Sequence, residues 1–192
     1  MMKMICDYYS PSIVLDPCMG WGGRMLGAVA NGAHYIGFDP NTETYNNLQE
    51  LAKFLDIENK VTLICDDAMN MDKYNLPKVD LVVTSPPYFD LEVYTNEQSQ
   101  SITNHSNYRA WSDYFLYGII EKSICHLNEN GVSCWNVGKV DKNDMNDDVK
   151  TYHEKLNFKM SKEFSVVSSK RQALQTKTDK KSSDNTVVYV CI

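Results

Sequence analysis

An α/β fold, with a mostly parallel sheet and helices on both faces, follows from three observations in this sequence. Short apolar runs alternate with segments of helical periodicity, a glycine-rich turn joins the first run to the first helix, and acidic residues stand at the carboxyl ends of successive runs. Seven strands are expected, the last two pairing as an antiparallel hairpin.

The elements follow in chain order. Residues 12–16 read as a short buried strand, and 24–31 as a helix closed by Gly32. A second strand spans 34–38. Beyond it Tyr45, Leu48, Leu51, Ala52 and Leu55 recur at helical spacing, with Asn41 placed to cap and Pro40 at the entry. Runs 61–65 and 79–84 make the third and fourth strands. Residues 89–107, rich in Asn, Gln, Ser and Tyr without periodicity, read as a long loop, a feature that tends to be functional in compact domains. Phe115, Leu116, Ile119, Ile120, Ile124 and Leu127 then form a helical stripe, which Asn130-Gly131 ends before a strand over 132–137. The acidic run 141–148 reads as a solvated turn and helix start, and it lacks the glycine and spacing of a calcium loop. Val149, Tyr152 and Leu156 mark a short helix, and 163–168 and 186–192 are the closing strands.

A chain of 192 residues with 43% hydrophobic content is expected to form one domain with its own core, without a separate target-recognition domain. Its six cysteines show no C-x-x-C pair and no histidine at ligand spacing, which predicts reduced thiols, no metal site and a cytoplasmic setting. No apolar run reaches the roughly 20 residues that span a bilayer. A net charge of −6 excludes coating of nucleic acid by bulk electrostatics, so any such contact must be local. The basic residues Lys170, Arg171, Lys177, Lys180 and Lys181 are concentrated in one segment that supplies either such a contact or solvated surface.

Two motifs carry chemistry. The first is Asp16-Pro17-Cys18-Met19-Gly20-Trp21-Gly22-Gly23, a turn between strand and helix whose glycines at 20, 22 and 23 allow close backbone approach to a ligand. Asp39 ends the second strand, where a carboxylate can accept both hydroxyls of a ribose, and Asp66-Asp67-Ala68 ends the third, where an acid can accept from an adenine amino group. The second motif, Ser85-Pro86-Pro87-Tyr88, leaves the fourth strand. Consecutive prolines lack N–H donors and fix φ, so the chain forms a stiff ledge of outward carbonyl acceptors suited to an NH2 group. Ser85 adds a hydroxyl acceptor and Tyr88 an aromatic face for stacking.

Together these residues resemble the S-adenosylmethionine-dependent DNA amino-methyltransferases of the cytosine-N4 and adenine-N6 type. The resemblance implies a Rossmann-like class I methyltransferase fold with S-adenosylmethionine as cofactor. In that comparison the glycine loop (Asp16, Pro17, Cys18, Gly20, Gly22, Gly23) cradles the methionine end, and Asp16 holds its amino group directly or through water. The ledge Ser85, Pro86, Pro87 and Tyr88 holds the target amino group of an extruded base, and a serine at 85 inclines the family comparison toward cytosine N4. Cys18 is read as a small buried thiol rather than a nucleophile. Nucleic acid, DNA ahead of RNA, is the expected partner. Specificity is expected from the 89–107 and 170–185 loops or from a second copy or separate subunit. With only a dozen residues before the first strand, the helix that relatives place upstream is expected to be largely missing. Relatives with the same motif order methylate RNA or glutamine side chains, and that alternative stays open. A non-catalytic scaffold leaves both motifs without a purpose, and a nicotinamide dehydrogenase leaves the double proline unexplained.

Overall fold

The computed structural model describes residues 1–89, 107–140, 143–167 and 185–191. Five parallel strands form the body of the sheet: β1 (Ile13–Asp16), β2 (His34–Phe38), β3 (Val61–Ile64), β4 (Val79–Thr84) and β5 (Leu127–Val137), in the order β3-β2-β1-β4-β5. A two-residue ribbon, β6 (Lys139–Val140) with β7 (Asn143–Asp144), follows β5. β8 (Met160–Val167) and β9 (Asn185–Cys191) then extend the main sheet antiparallel, β9 lying against β5. The chain runs outward through β1, β2 and β3 and returns to β4 on the other side of β1. The order therefore reverses between β1 and β4, and beyond the strand ends at such a reversal α/β sheets open a ligand crevice.

Alternation along the strands separates two core layers. Leu15 and Val82 face one side, packed with Trp111, Leu116, Ile119 and Ile120, while Val14, Leu81 and Val83 face the other with Met2, Ile5, Met25 and Leu48. The helices that cover them are α1 (Met2–Tyr9), α2 (Gly23–Ala30), α3 (Thr42–Phe54), α4 (Tyr108–Trp111), α5 (Tyr117–Cys125) and α6 (Met145–Lys155). Asn41 caps α3 as expected, its side chain accepting from Thr44 N at 2.9 Å. Asp144 caps α6, with Asp147 and Asp148 in the first turn, so the acidic run serves the positive end of a helix.

Three expectations change. The upstream helix is present: Met2, Ile5 and Cys6 form a buried i, i+3, i+4 stripe, and α1 crosses α2 where Gly27 leaves room for Met2. Eight residues suffice because tertiary packing, not length, stabilises it. Asn130-Gly131 does not separate helix from strand. Leu127 already pairs with Val79 and Val132 with Leu81, so residues 128–131 form an excursion within β5. The helical segment before β5 begins at Tyr108, earlier than its apolar stripe, and α4 passes into α5 through a π-helical stretch, Ser112–Leu116. Such widened turns often occur near functional sites. Among the described residues no helix is long and apolar enough to cross a membrane.

Candidate active site

At the tip of β1, Asp16 is fully buried yet densely bonded. Its Oδ2 accepts from Arg24 Nε at 2.6 Å and from the Tyr35 hydroxyl at 2.7 Å, while its Oδ1 accepts from Cys18 N at 3.1 Å and Arg24 Nη2 at 3.4 Å. Arg24 Nη2 also donates to the Cys18 carbonyl. Burial pulls the guanidinium pKa down, but the Asp16 charge and hydrogen bond more than offset it, and Arg24 stays charged. Both oxygens of Asp16 therefore accept hydrogen bonds inside the protein, and the carboxylate organises the turn. The Cys18 thiol is raised by burial first and by Asp16 and Asp39 next, which agrees with an inert thiol.

The glycine loop then folds over β2. Met19 N donates to the Phe38 carbonyl at 2.8 Å, and a Cβ on Gly37 would lie 2.9 Å from that of Met19, so only glycine lets the loop settle there. Gly22 has φ +84° and caps α2, and its α-carbon faces Leu48 so closely that a Cβ would sit 2.5 Å from Leu48 Cδ2. The other side of the loop is open: an added Cβ meets nothing within 4 Å at Gly23. Trp21 projects from it, 85% exposed.

Asp39, at the tip of β2, ties this loop to α3 by accepting from Gly20 N at 3.2 Å on one oxygen and Asn41 N at 3.0 Å on the other. Burial raises its pKa, and the two backbone donors pull it partly back. Its remaining lone pairs suit a diol. At the tip of β3, Asp66 accepts from Asn70 at 2.8 Å, Tyr74 at 2.9 Å and Asp67 N at 2.8 Å, whereas Asp67 accepts from Met69 N at 2.9 Å and precedes buried Ala68. Burial costs Asp66 some acidity, but its donors outweigh that and its pKa falls; Asp67 has one backbone donor and its pKa is raised, chiefly by burial.

Across the reversal, β4 delivers the ledge. Pro86 is buried and Ser85, Pro87 and Tyr88 are half-buried. Gly138, just past β5, lies against the Tyr88 ring, where a Cβ would be 3.4 Å away. Phe89 takes φ +44° and packs edge-on against Tyr108 and tilted against Trp111, with ring centroids 5.9 and 5.8 Å apart, so the exit from the ledge is anchored in the helical layer. The Asn136 amide donates to Ser85 Oγ at 3.4 Å.

The sheet thus brings residues 16–23, 39, 66–68 and 85–88 to the carboxyl ends of four adjacent strands. Lys170, Arg171, Lys177, Lys180 and Lys181 lie outside the described residues, as does most of the 89–107 loop. Arg24, Tyr35 and Asn136 escaped the reading of the sequence. Only Arg24 carried a signal, as a lone cation directly after the glycines.

Residues 11–124, more than half of the chain, match the family described as RNA cap guanine-N2 methyltransferase. The chain belongs to this family. This methyltransferase depends on S-adenosylmethionine, and its loop fits that cofactor: an open glycine face, with carboxylates at the tips of the next two strands. Among solved structures it is similar to TrmN from Thermus thermophilus (TM-score 0.69, 13% identity, 99% of this chain and 47% of that one). SMU.1697c from Streptococcus mutans, solved with SAH, matches over 99% of this chain and 96% of its own (TM-score 0.62, 16% identity). An rRNA methylase from Streptococcus thermophilus covers 94% and 85% (TM-score 0.57, 16% identity). At these identities the likeness establishes the fold, Rossmann-like and class I. No curated protein matches the sequence.

Proposed function

We propose that this methyltransferase modifies an exocyclic amino nitrogen of an RNA base, with guanine N2 the first candidate. The observation that carries the reading is the junction of β1 and β4. These strands pair directly, Val14 with Leu81 and Leu15 with Val82, so the cofactor loop and the proline ledge leave the sheet side by side. When bound, S-adenosylmethionine supplies an electrophilic methyl: the acceptor nitrogen's lone pair forms the new N–C bond, the C–S pair stays on sulfur, and one N–H proton passes to water. The Pro86 carbonyl and Ser85 hydroxyl orient the amino group and expose its lone pair. Tyr88, held on Gly138, offers the ring a stacking face. Asp39 takes the ribose hydroxyls, and Asp67, with fewer internal donors than Asp66, takes the adenine amino group.

RNA is preferred to DNA here because the family match runs through the Ser-Pro-Pro-Tyr ledge. A serine at 85 therefore sits within a family described as RNA-directed. The test is transfer of labelled methyl from S-adenosylmethionine to capped RNA, uncapped RNA, duplex DNA and protein, with Ser85→Ala in parallel. Label confined to RNA and lost in Ser85→Ala, while SAH still binds, supports the reading. Label in DNA or protein alone refutes it.

A further inference from the structure

Asn136 stands one residue beyond Trp135, whose partner in the parallel register is Thr84. Asn136 and Ser85 are consequently neighbours at the tips of β5 and β4, and the amide nitrogen donates to Ser85 Oγ. The other end of the amide has a different status. Asn136 Oδ1 is shut off from solvent and has no hydrogen-bond partner among the described residues. A buried acceptor left without a donor is destabilising, so such a group marks a place where a ligand can supply one. The row of strand tips also has a sense: acids over β3, β2 and β1 belong to the cofactor side, the ledge follows on β4, and Asn136 comes next on β5.

We infer that Asn136 is a further acceptor for the target amino group, its Oδ1 taking one N–H while the Pro86 carbonyl and Ser85 hydroxyl share the other. This inference rests on the amino-methylation reading and narrows it: the substrate must present a full NH2, since two acceptors on separate strands need two N–H bonds. Asn136 also holds Ser85 by its amide nitrogen, so one side chain sets both positions.

The test reads binding without RNA. Sinefungin carries an amine where the cofactor carries its sulfonium methyl, so that amine points along the transfer path, and SAH lacks it. Titration calorimetry of both ligands is run on wild type, Asn136→Leu and Asn136→Asp. The expected result is that Asn136→Leu leaves SAH affinity within about twofold while weakening sinefungin about tenfold, the loss of one hydrogen bond to a charged group. Asn136→Asp, which keeps the acceptor, retains or strengthens sinefungin. An unchanged sinefungin-to-SAH ratio in Asn136→Leu, equal loss of both ligands, or selective loss of sinefungin in Asn136→Asp overturns the inference. Should Asn136→Leu fail to fold, the Asp variant alone decides. The ratio is independent of the RNA assay, so a failure of the RNA reading with the ratio shifted as expected refutes the substrate and not the placement of Asn136.

Discussion

Arg24 donates from Nε to Asp16 Oδ2 at 2.6 Å, and this bond closes the cofactor turn from within. Asp16 is fully enclosed and Arg24 only 16% exposed, so removing the guanidinium strands a buried carboxylate. Arg24→Ala is expected to lower stability by about 3–5 kcal/mol, the usual result of breaking one side of a buried pair. Arg24→Lys recovers only part, because an ammonium cannot reach Asp16 and the Cys18 carbonyl with one planar fork. Denaturant midpoints check both, and unchanged midpoints refute the clamp.

Gly22→Ala tests the turn separately. The residue sits at φ +84° and faces Leu48 Cδ2, so alanine meets backbone strain and a clash together. A stability loss of about 1–3 kcal/mol is expected from the strain alone, with weaker SAH binding. Adding Leu48→Ala relieves the contact but not φ, so the double variant should bind SAH no better than halfway toward wild type.

Trp21 offers an intrinsic reporter. Trp111 and Trp135 are fully buried, whereas Trp21 is 85% exposed on the glycine loop. Iodide quenching should act on Trp21 and be reduced by SAH, and Trp21→Phe should remove the quenchable emission. Quenching that ignores SAH places the cofactor elsewhere.

His153, buried against β5, gives a pH signature. Its Nδ1 lies 2.7 Å from the Val149 carbonyl and its Nε2 2.9 Å from Ser133 Oγ, which also accepts from Trp135 Nε1 at 2.7 Å. Burial pushes its pKa down to about 4 from 6.5. The unfolded chain binds the proton first, so stability is full above pH 6.5 and falls as pH drops toward 4, by up to about 3 kcal/mol. Denaturation of wild type and His153→Gln across pH 4–7 checks this; the variant should show a shallower slope.

How much was legible follows the same physics. Val79–Thr84 and the Asn41 cap were visible because alternation, apolar runs and caps are local properties. The glycine loop and ledge were visible because backbone constraints at Gly and Pro are written in residue type. Arg24, Tyr35 and Asn136 were not, since each acts across a strand or turn that exists only after folding. Asn130-Gly131 misled because its local turn chemistry gave way to pairing of β5 with β4. Asp16 was legible as an acid at a strand tip, whereas its bonds to Arg24 and Tyr35 exist only after folding.

The central claim is that the ledge at residues 85–88 presents an RNA amino group to the cofactor. Its most direct measurement is nucleoside mass analysis of RNA after incubation with methyl-labelled S-adenosylmethionine and either wild type or Ser85→Ala. The predicted result is one N-methylated nucleoside formed by wild type and lost in Ser85→Ala, with SAH affinity preserved. Methyl transfer that persists undiminished in Ser85→Ala, or a labelled product carrying its methyl on carbon or oxygen, contradicts it.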